Sequence, residues 1–144
     1  MLTEEYKNIR RVSVSLEGKE WKTKDIWTSQ DLKSVFNDHV IHKGYLYGFD
    51  GPYMACVDLR DGKRKWRGGR YQGYTLLLAD QYMMLVLTEK GEVALVSASP
   101  DEFTELSKFQ AINGKTWNHP ALSGNILLVR NSQEMAAFRL PIME

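Results

Sequence analysis

His39 and His42 have the spacing in this chain that most directly suggests chemistry. A His-x-x-His pair can share a metal when both rings reach one point, as they do on a helix. On a strand, positions three apart face opposite sides of the sheet. The segment around them is extended in pattern, so both read as surface or sheet-edge histidines. Asn37, Asp38 and Asn118 offer oxygen atoms of the kind calcium takes, but calcium needs several converging ligands and no spacing gathers these three. His119, within Asn118-His119-Pro120, has two readings: it faces a central channel, or it caps a strand. Cys56 is the only cysteine. It has no internal partner and reads most simply as a small buried residue. There is no Gly-x-Ser-x-Gly elbow and no phosphate-binding glycine loop, and Gly68-Gly69 reads as a connection. Lys63 to Arg70 (KRKWRGGR) is locally basic with one aromatic. Its turn context and the acids elsewhere make it a solvated edge. Met83, Met84 and Met135 read as core rather than ligands.

The elements that must position these residues are strands. The 144 residues suffice for one domain with a real core, and 43% hydrophobic with 26% charged residues is the balance of a folded chain. A net charge of +1, from 19 basic and 18 acidic residues, lacks the basic excess of a nucleic-acid footprint. No apolar run approaches the ~20 residues of a membrane-spanning helix. The opening MLTEEYKNIRRV places acids ahead of any apolar block, unlike a secretory signal. Arg11–Leu16 alternates apolar and polar at period two, and Lys19–Trp27 resumes the pattern after Glu17-Gly18. Further extended runs are expected at Ser34–His42, Tyr45–Phe49, Tyr53–Leu59 and Arg64–Trp66. Four more follow at Thr75–Ala79, Tyr82–Thr88, Val93–Ser97 and Glu105–Gln110, and a last three at Trp117–Leu122, Ile126–Arg130 and Met135–Leu140. Turn residues punctuate them: Lys43-Gly44, Asp50-Gly51-Pro52, Asp61-Gly62, Lys90-Gly91 and Ser123-Gly124. Ser29–Lys33 and Asp101–Thr104 are each expected to form one helical turn.

These runs repeat. Trp27, Trp66 and Phe109, near the end of each set, are 39 and 43 residues apart. Phe36, Tyr74 and Trp117, opening the next set, are 38 and 43 apart. Ala55, Ala94 and Ala136, in the third strand, are 39 and 42 apart. Phe36-Asn37 and Trp117-Asn118 echo one another ahead of their turns. A period of about 40 is that of a four-stranded propeller blade. Such a blade buries both faces of its middle strands, as ILLVR, MMLVLT and YLYGF require, with the large aromatics filling the wedges between blades. The fold expected is all-β: a partial β-propeller of about three four-stranded antiparallel blades. The boundaries are a half blade at 11–33, blades at 34–70 and 71–115, and an incomplete blade at 116–140.

Ala55 to Trp66 (ACVDLRDGKRKW) resembles the tryptophan-docking motif of pyrroloquinoline-quinone-type (PQQ-like, quinoprotein alcohol dehydrogenase-like) repeats: Ala, Asp, Thr-Gly and Trp at set spacing. Ala55, Asp58, Gly62 and Trp66 match it. One extra residue separates Ala55 from Asp58, and Asp61 stands where the family has Thr. The later repeats keep Ala94 and Ala136 without a following Gly-x-x-Trp. In that family the Trp packs between blades, and Ala and Gly leave it room. The resemblance implies structural roles for these four residues. It also implies a bacterial periplasmic or envelope setting, and a PQQ pocket with calcium in the enzymes of the group. The adjacent-cysteine pair common in those enzymes has no counterpart here, and many members bind no quinone.

The function expected is therefore a non-catalytic scaffold for protein or small-ligand binding, without cofactor. The alternative is a PQQ-dependent dehydrogenase or a fragment of one. Thirteen strands fall short of the about four to eight blades of a closed ring, so the chain is expected to form a homo-oligomer or to join the rest of a longer propeller. Ligands are expected at the ring mouth, where loops enter the innermost strands: Asn37, Asp38, Arg70, Tyr71, Asn118 and His119.

Overall fold

A computed structural model describes residues 8–34 and 36–141. The opening MLTEEYK, and Val35 within the expected Ser34–His42 strand, lie outside the described residues. Thirteen strands run through them: β1 (Ile9–Glu17), β2 (Glu20–Ser29), β3 (Val40–His42), β4 (Tyr45–Asp50), β5 (Tyr53–Asp58), β6 (Arg64–Arg70), β7 (Gly73–Leu78), β8 (Met83–Thr88), β9 (Glu92–Ser97), β10 (Glu105–Gln110), β11 (Ala121–Ser123), β12 (Ile126–Arg130) and β13 (Met135–Arg139). They pair antiparallel, in chain order, as four sheets of two, four, four and three strands. The fold is a partial β-propeller, and the sheets are its blades I to IV.

Turn chemistry explains the hairpins. Lys43 and Gly44 join β3 to β4 with both φ angles positive, at 46° and 84°. That is the backbone of a two-residue turn whose twist matches the strands it joins. The expected helical turns at Ser29–Lys33 and Asp101–Thr104 do not form. A 3-10 turn is present among the described residues at Ala79–Gln81. Two expected strands are also shorter. Residues 34 and 36–39 and Trp117–Pro120 run as connections. Ser34 and Asn37 spend their side chains on loop contacts, and Pro120 has no N–H to give a ladder.

Three apolar seams hold the blades side by side. Between I and II lie Leu32, Ala55 and Val57, with Ile9 and Leu46 against them. Between II and III lie Tyr47, Phe49, Met54, Cys56, Trp66 and Tyr71 from one blade, and Met84, Val86, Ala94, Val96 and Ala98 from the next. Between III and IV lie Leu85, Leu87, Val93, Leu127 and Val129, with Ala136 and Phe138. Ala55, Ala94 and Ala136 thus each face the preceding blade. Alternation along each strand sends its other residues into the following seam.

Aromatic docking follows a repeated device. In β2 the extra residue Ile26 breaks register just before Trp27, which pairs with Arg11. In β6 the extra residue Lys65 breaks register just before Trp66, which pairs with Cys56. Each bulge re-aims the tryptophan that follows it. Trp27 Nε1 donates to Leu59 O of blade II at 2.9 Å, and Trp66 Nε1 donates to Ser99 O of blade III at 2.8 Å. Trp27 lies over Gly62, where a Cβ would stand 2.8 Å from the indole, and Gly62 has φ +73°. Gly62 therefore makes room for Trp27, not for Trp66 of its own blade. In β10 the bulge at Leu106 puts Ser107, opposite Leu95, at the ladder position of Trp66. Phe109 lies two residues beyond and meets Phe138 edge-on at 5.2 Å between centroids.

Several side chains expected in the core are outside it. Phe36 is 88% exposed, Trp117 59% and Met135 71%, whereas Met84 is fully buried. Cys56 is buried and unpaired. Burial pushes its thiol up to about 12, so it stays neutral at physiological pH. In the basic stretch, Arg64 and Arg67 each reach Asp50 at 3.0 Å, as a solvated edge strand would arrange them.

Candidate functional site

Strand direction decides which loops meet. In an antiparallel blade the turn between the second and third strands and the connection to the next blade lie at the same end. That end carries residues 30–39, 71–72 and 111–120, together with the turns at Gly51-Pro52, Glu89–Gly91 and Asn131–Glu134. The backbone stitches them together. Pro52 O accepts the N–H groups of Tyr71 and Gln72 at 3.0 and 3.1 Å. Gly91 O accepts those of Ala111 and Ile112 at the same two distances. Glu89 N–H reaches the connection from blade II, at Gln72 O, at 3.0 Å, and Thr116 N–H, on the connection toward blade IV, reaches Glu89 O at 2.9 Å.

Three of the six residues expected at the mouth come together on this scaffold. Asn37 Nδ2 donates to Gly73 O at 2.5 Å, which fixes the connection into blade II against the start of β7. The neighbouring Asp38 carboxylate lies 3.5 Å from His119 Nε2. The His119 ring sits 4.2 Å from that of Tyr74. Asn118 lies on the same connection, between Trp117 and His119. Asp38 and His119 are both largely exposed, so their attraction is screened and contributes little stability. Arg70 and Tyr71 stand apart from that trio. With Pro52, Gln72, Glu89 and Lys90 they line a depression of about 360 Å³ between blades II and III. Tyr71 is buried, and its hydroxyl donates to the Glu105 carboxylate. Burial first, and then Glu105, push the phenol well above its ordinary range, so Tyr71 serves as a neutral donor and floor.

Glu89 bridges the two regions. Its Oε1 accepts from Trp117 Nε1 at 3.3 Å and pairs with Lys115 Nζ at 3.6 Å. Lys115 in turn sits 3.7 Å above the Trp117 ring. Glu89, Lys90, Gln72 and Lys115 were not singled out by sequence. The available signal was strand parity, which places the Lys90-Gly91 turn at the same end as the expected mouth residues.

The two close-spaced histidines part company. His39 lies flat on Gly48, where a Cβ would meet its Cδ2 at 2.5 Å, and its Nε2 is 2.9 Å from Ser34 Oγ. Burial lowers its pKa, with Asp38 pulling the other way. His42 meets Tyr82 edge-on at the opposite end of the blade. Among the described residues no three of His, Cys, Asp and Glu gather to hold a metal ion. The oxygen atoms considered for calcium do not converge either, since Asp38 faces His119 and Asn37 is tied to Gly73. No described helix is long and apolar enough to cross a membrane.

No protein-family model matches the chain, and no curated protein does. Among solved structures it is similar to a chain of the "Crystal Structure of Mitotic Checkpoint Complex". The TM-score is 0.68 at 14% identity, over 83% of this chain and 42% of that one. It is also similar to BamB from Moraxella catarrhalis, with a TM-score of 0.51 at 13% identity, over 82% of this chain and 37% of that one. Likeness at this identity shows the fold alone. The chain spans about two-fifths of the length of the propellers it matches, and in fold it is an arc of a β-propeller.

Proposed function

We propose that the chain is a non-catalytic β-propeller scaffold of the PQQ-like kind, which holds a protein partner at the end of the arc where the inter-blade connections gather. One observation carries this reading: Phe36 and Trp117 are 88% and 59% exposed at equivalent places in two repeats. Each stands two residues before a member of the Asp38–His119 pair, whose histidine ring meets Tyr74. Large aromatics with nearby charged groups are the side chains that anchor protein interfaces, and grouped exposure of this kind marks interaction sites. The PQQ-like assignment is supported by Trp27 docked over Gly62.

Closure of the ring, by a second copy or by the rest of a longer propeller, is part of the same proposal. Blade I presents Val14, Leu16 and Trp21 to solvent, and blade IV presents Leu128 and Met135. In β1, Arg11 reaches back to Leu59 O of blade II, so the alternate residues Val14 and Leu16 face away from the arc.

The experiment is selection of displayed peptides on the immobilised chain, followed by affinity measurement on Phe36→Ala and Trp117→Ala. Each substitution should weaken the selected peptides about tenfold or more, the scale of an interface anchor. Selected peptides that bind both variants as tightly as the parent would refute the reading.

A further inference from the structure

The depression between blades II and III has an internal control in the next repeat. Pro52 O takes the N–H groups of Tyr71 and Gln72, and Gly91 O takes those of Ala111 and Ile112. The residue before each pair is therefore equivalent: Arg70 in blade II and Gln110 in blade III. Gln110 folds its amide inward, donating from Nε2 to Lys90 O at 2.9 Å and to Ile112 O at 2.6 Å. It caps its own junction. Arg70 is exposed, lines the open depression, and its guanidinium has no carboxylate within ion-pair distance among the described residues. The same holds for the Lys90 ammonium. The acid in the lining, Glu89, already faces Lys115 and the Trp117 indole. Among the described residues, Arg70 and Lys90 are thus the two cations of the lining without an ion-pair partner, beside Tyr71 and Pro52.

We propose that this depression takes an anionic side chain, carboxylate or phosphate, of a bound peptide. Arg70 supplies the planar fork that grips an oxyanion, and Lys90 a second point charge. This rests on the reading that the same end of the arc binds protein. Phe36 and Trp117 would anchor the apolar part of the partner, and Arg70 with Lys90 would select an acid beside it.

The test titrates three capped peptides into the intact chain, read by tryptophan emission: acetyl-(Gly-Glu)3-amide, its phosphoserine counterpart and its glutamine counterpart. At least one anionic peptide should bind saturably, and about fivefold or more tighter than the glutamine peptide. Whichever anion binds tighter names the source. Arg70→Ala and Lys90→Ala should each weaken it about five- to tenfold, while Lys24→Ala, which removes a cation from β2, should leave it unchanged. Failure of both anionic peptides to bind saturably overturns the inference, as does equal binding of the glutamine peptide. So does a loss at Lys24→Ala matching those at Arg70 and Lys90. The two proposals fail separately. Selected peptides that need Phe36 and Trp117 but ignore Arg70 and Lys90 sink only the anion pocket. Anion binding lost at Arg70, in a chain whose selected peptides bind as tightly without Phe36 or Trp117, sinks only the aromatic anchor.

Discussion

Gly62→Ala tests whether inter-blade docking of Trp27 holds blade I in place. Two costs are built into that position. Gly62 has φ +73°, and an alanine held in the left-handed region costs about 1 kcal/mol or slightly more. The added Cβ would also stand 2.8 Å from Trp27 Cε3 and 3.1 Å from Ser29 Cβ. The indole must therefore lift off, losing its hydrogen bond to Leu59 O, about 1 kcal/mol. Its contact with the blade goes too, roughly another 1 kcal/mol of apolar burial. The total is about 3 kcal/mol. Gly44→Ala is the control. Its φ is +84°, but nothing lies within 4 Å of the new Cβ, so it should cost only the backbone share, about 1 kcal/mol. The assay is urea unfolding by far-ultraviolet circular dichroism, on both variants and on each in a Trp27→Ala background. There, Gly62→Ala should cost no more than Gly44→Ala, because the clash is gone. The coupling between Trp27 and Gly62 should be about 2 kcal/mol. Equal costs for Gly62→Ala with and without Trp27 would refute the docking argument.

Two further outcomes are expected. The Asp58 carboxylate accepts from Arg60 N–H at 2.9 Å and from the Arg60 guanidinium at 2.6 Å, and these hydrogen bonds hold its pKa down at about 2. A folded pKa below the unfolded value stabilises the fold above pH ~4, and that contribution is lost as pH falls toward 2. Asp58→Asn should therefore lose urea resistance at pH 5 and show a flatter decline between pH 4 and 2; a decline parallel to the parent's would count against it. The second concerns the open faces of blades I and IV. Light scattering should give masses above the 16.6 kDa of one chain that fall on dilution, and Trp21→Ser with Leu16→Ser should shift them toward the monomer. A monomer mass for the parent at every concentration would end the idea that copies of this chain close the ring.

Strand order was legible because its signals are local. Period-two alternation and turn pairs such as Lys43-Gly44 depend on residues a few positions apart. The alanine spacing was legible because Ala55, Ala94 and Ala136 share one physical position, the face toward the preceding blade. The aromatic spacing misled at Phe109. A bulge adds a residue to one strand only, so counting along the chain cannot detect that Ser107 takes the ladder position of Trp66. Phe36, Trp117 and Met135 misled differently: apolar character permits burial but does not require it. At the mouth, the proximity of Asp38 to His119 comes from two connections 81 residues apart in sequence, which only the stacking of blades brings together. Glu89 and Lys90 were hidden inside a turn signal, because a turn motif reports chain reversal and not which neighbouring loop it faces.

The three apolar seams lie in series, not around a common centre. Each blade leans only on its neighbours, so the chain resembles a short stack of cards more than a drop of oil. Among the described residues, the seam between blades II and III is the richest in large side chains, and that between I and II the poorest. Beyond the bulge at Ile26, the outer rungs of β1 and β2 pair, among the described residues, only with each other. Stability therefore falls outward from the middle of the arc, and blade I can open while II and III stay closed. A chain arranged this way keeps its most durable joint beside the depression lined by Arg70 and Lys90. Its least durable part is the end that a neighbouring blade would have to cover.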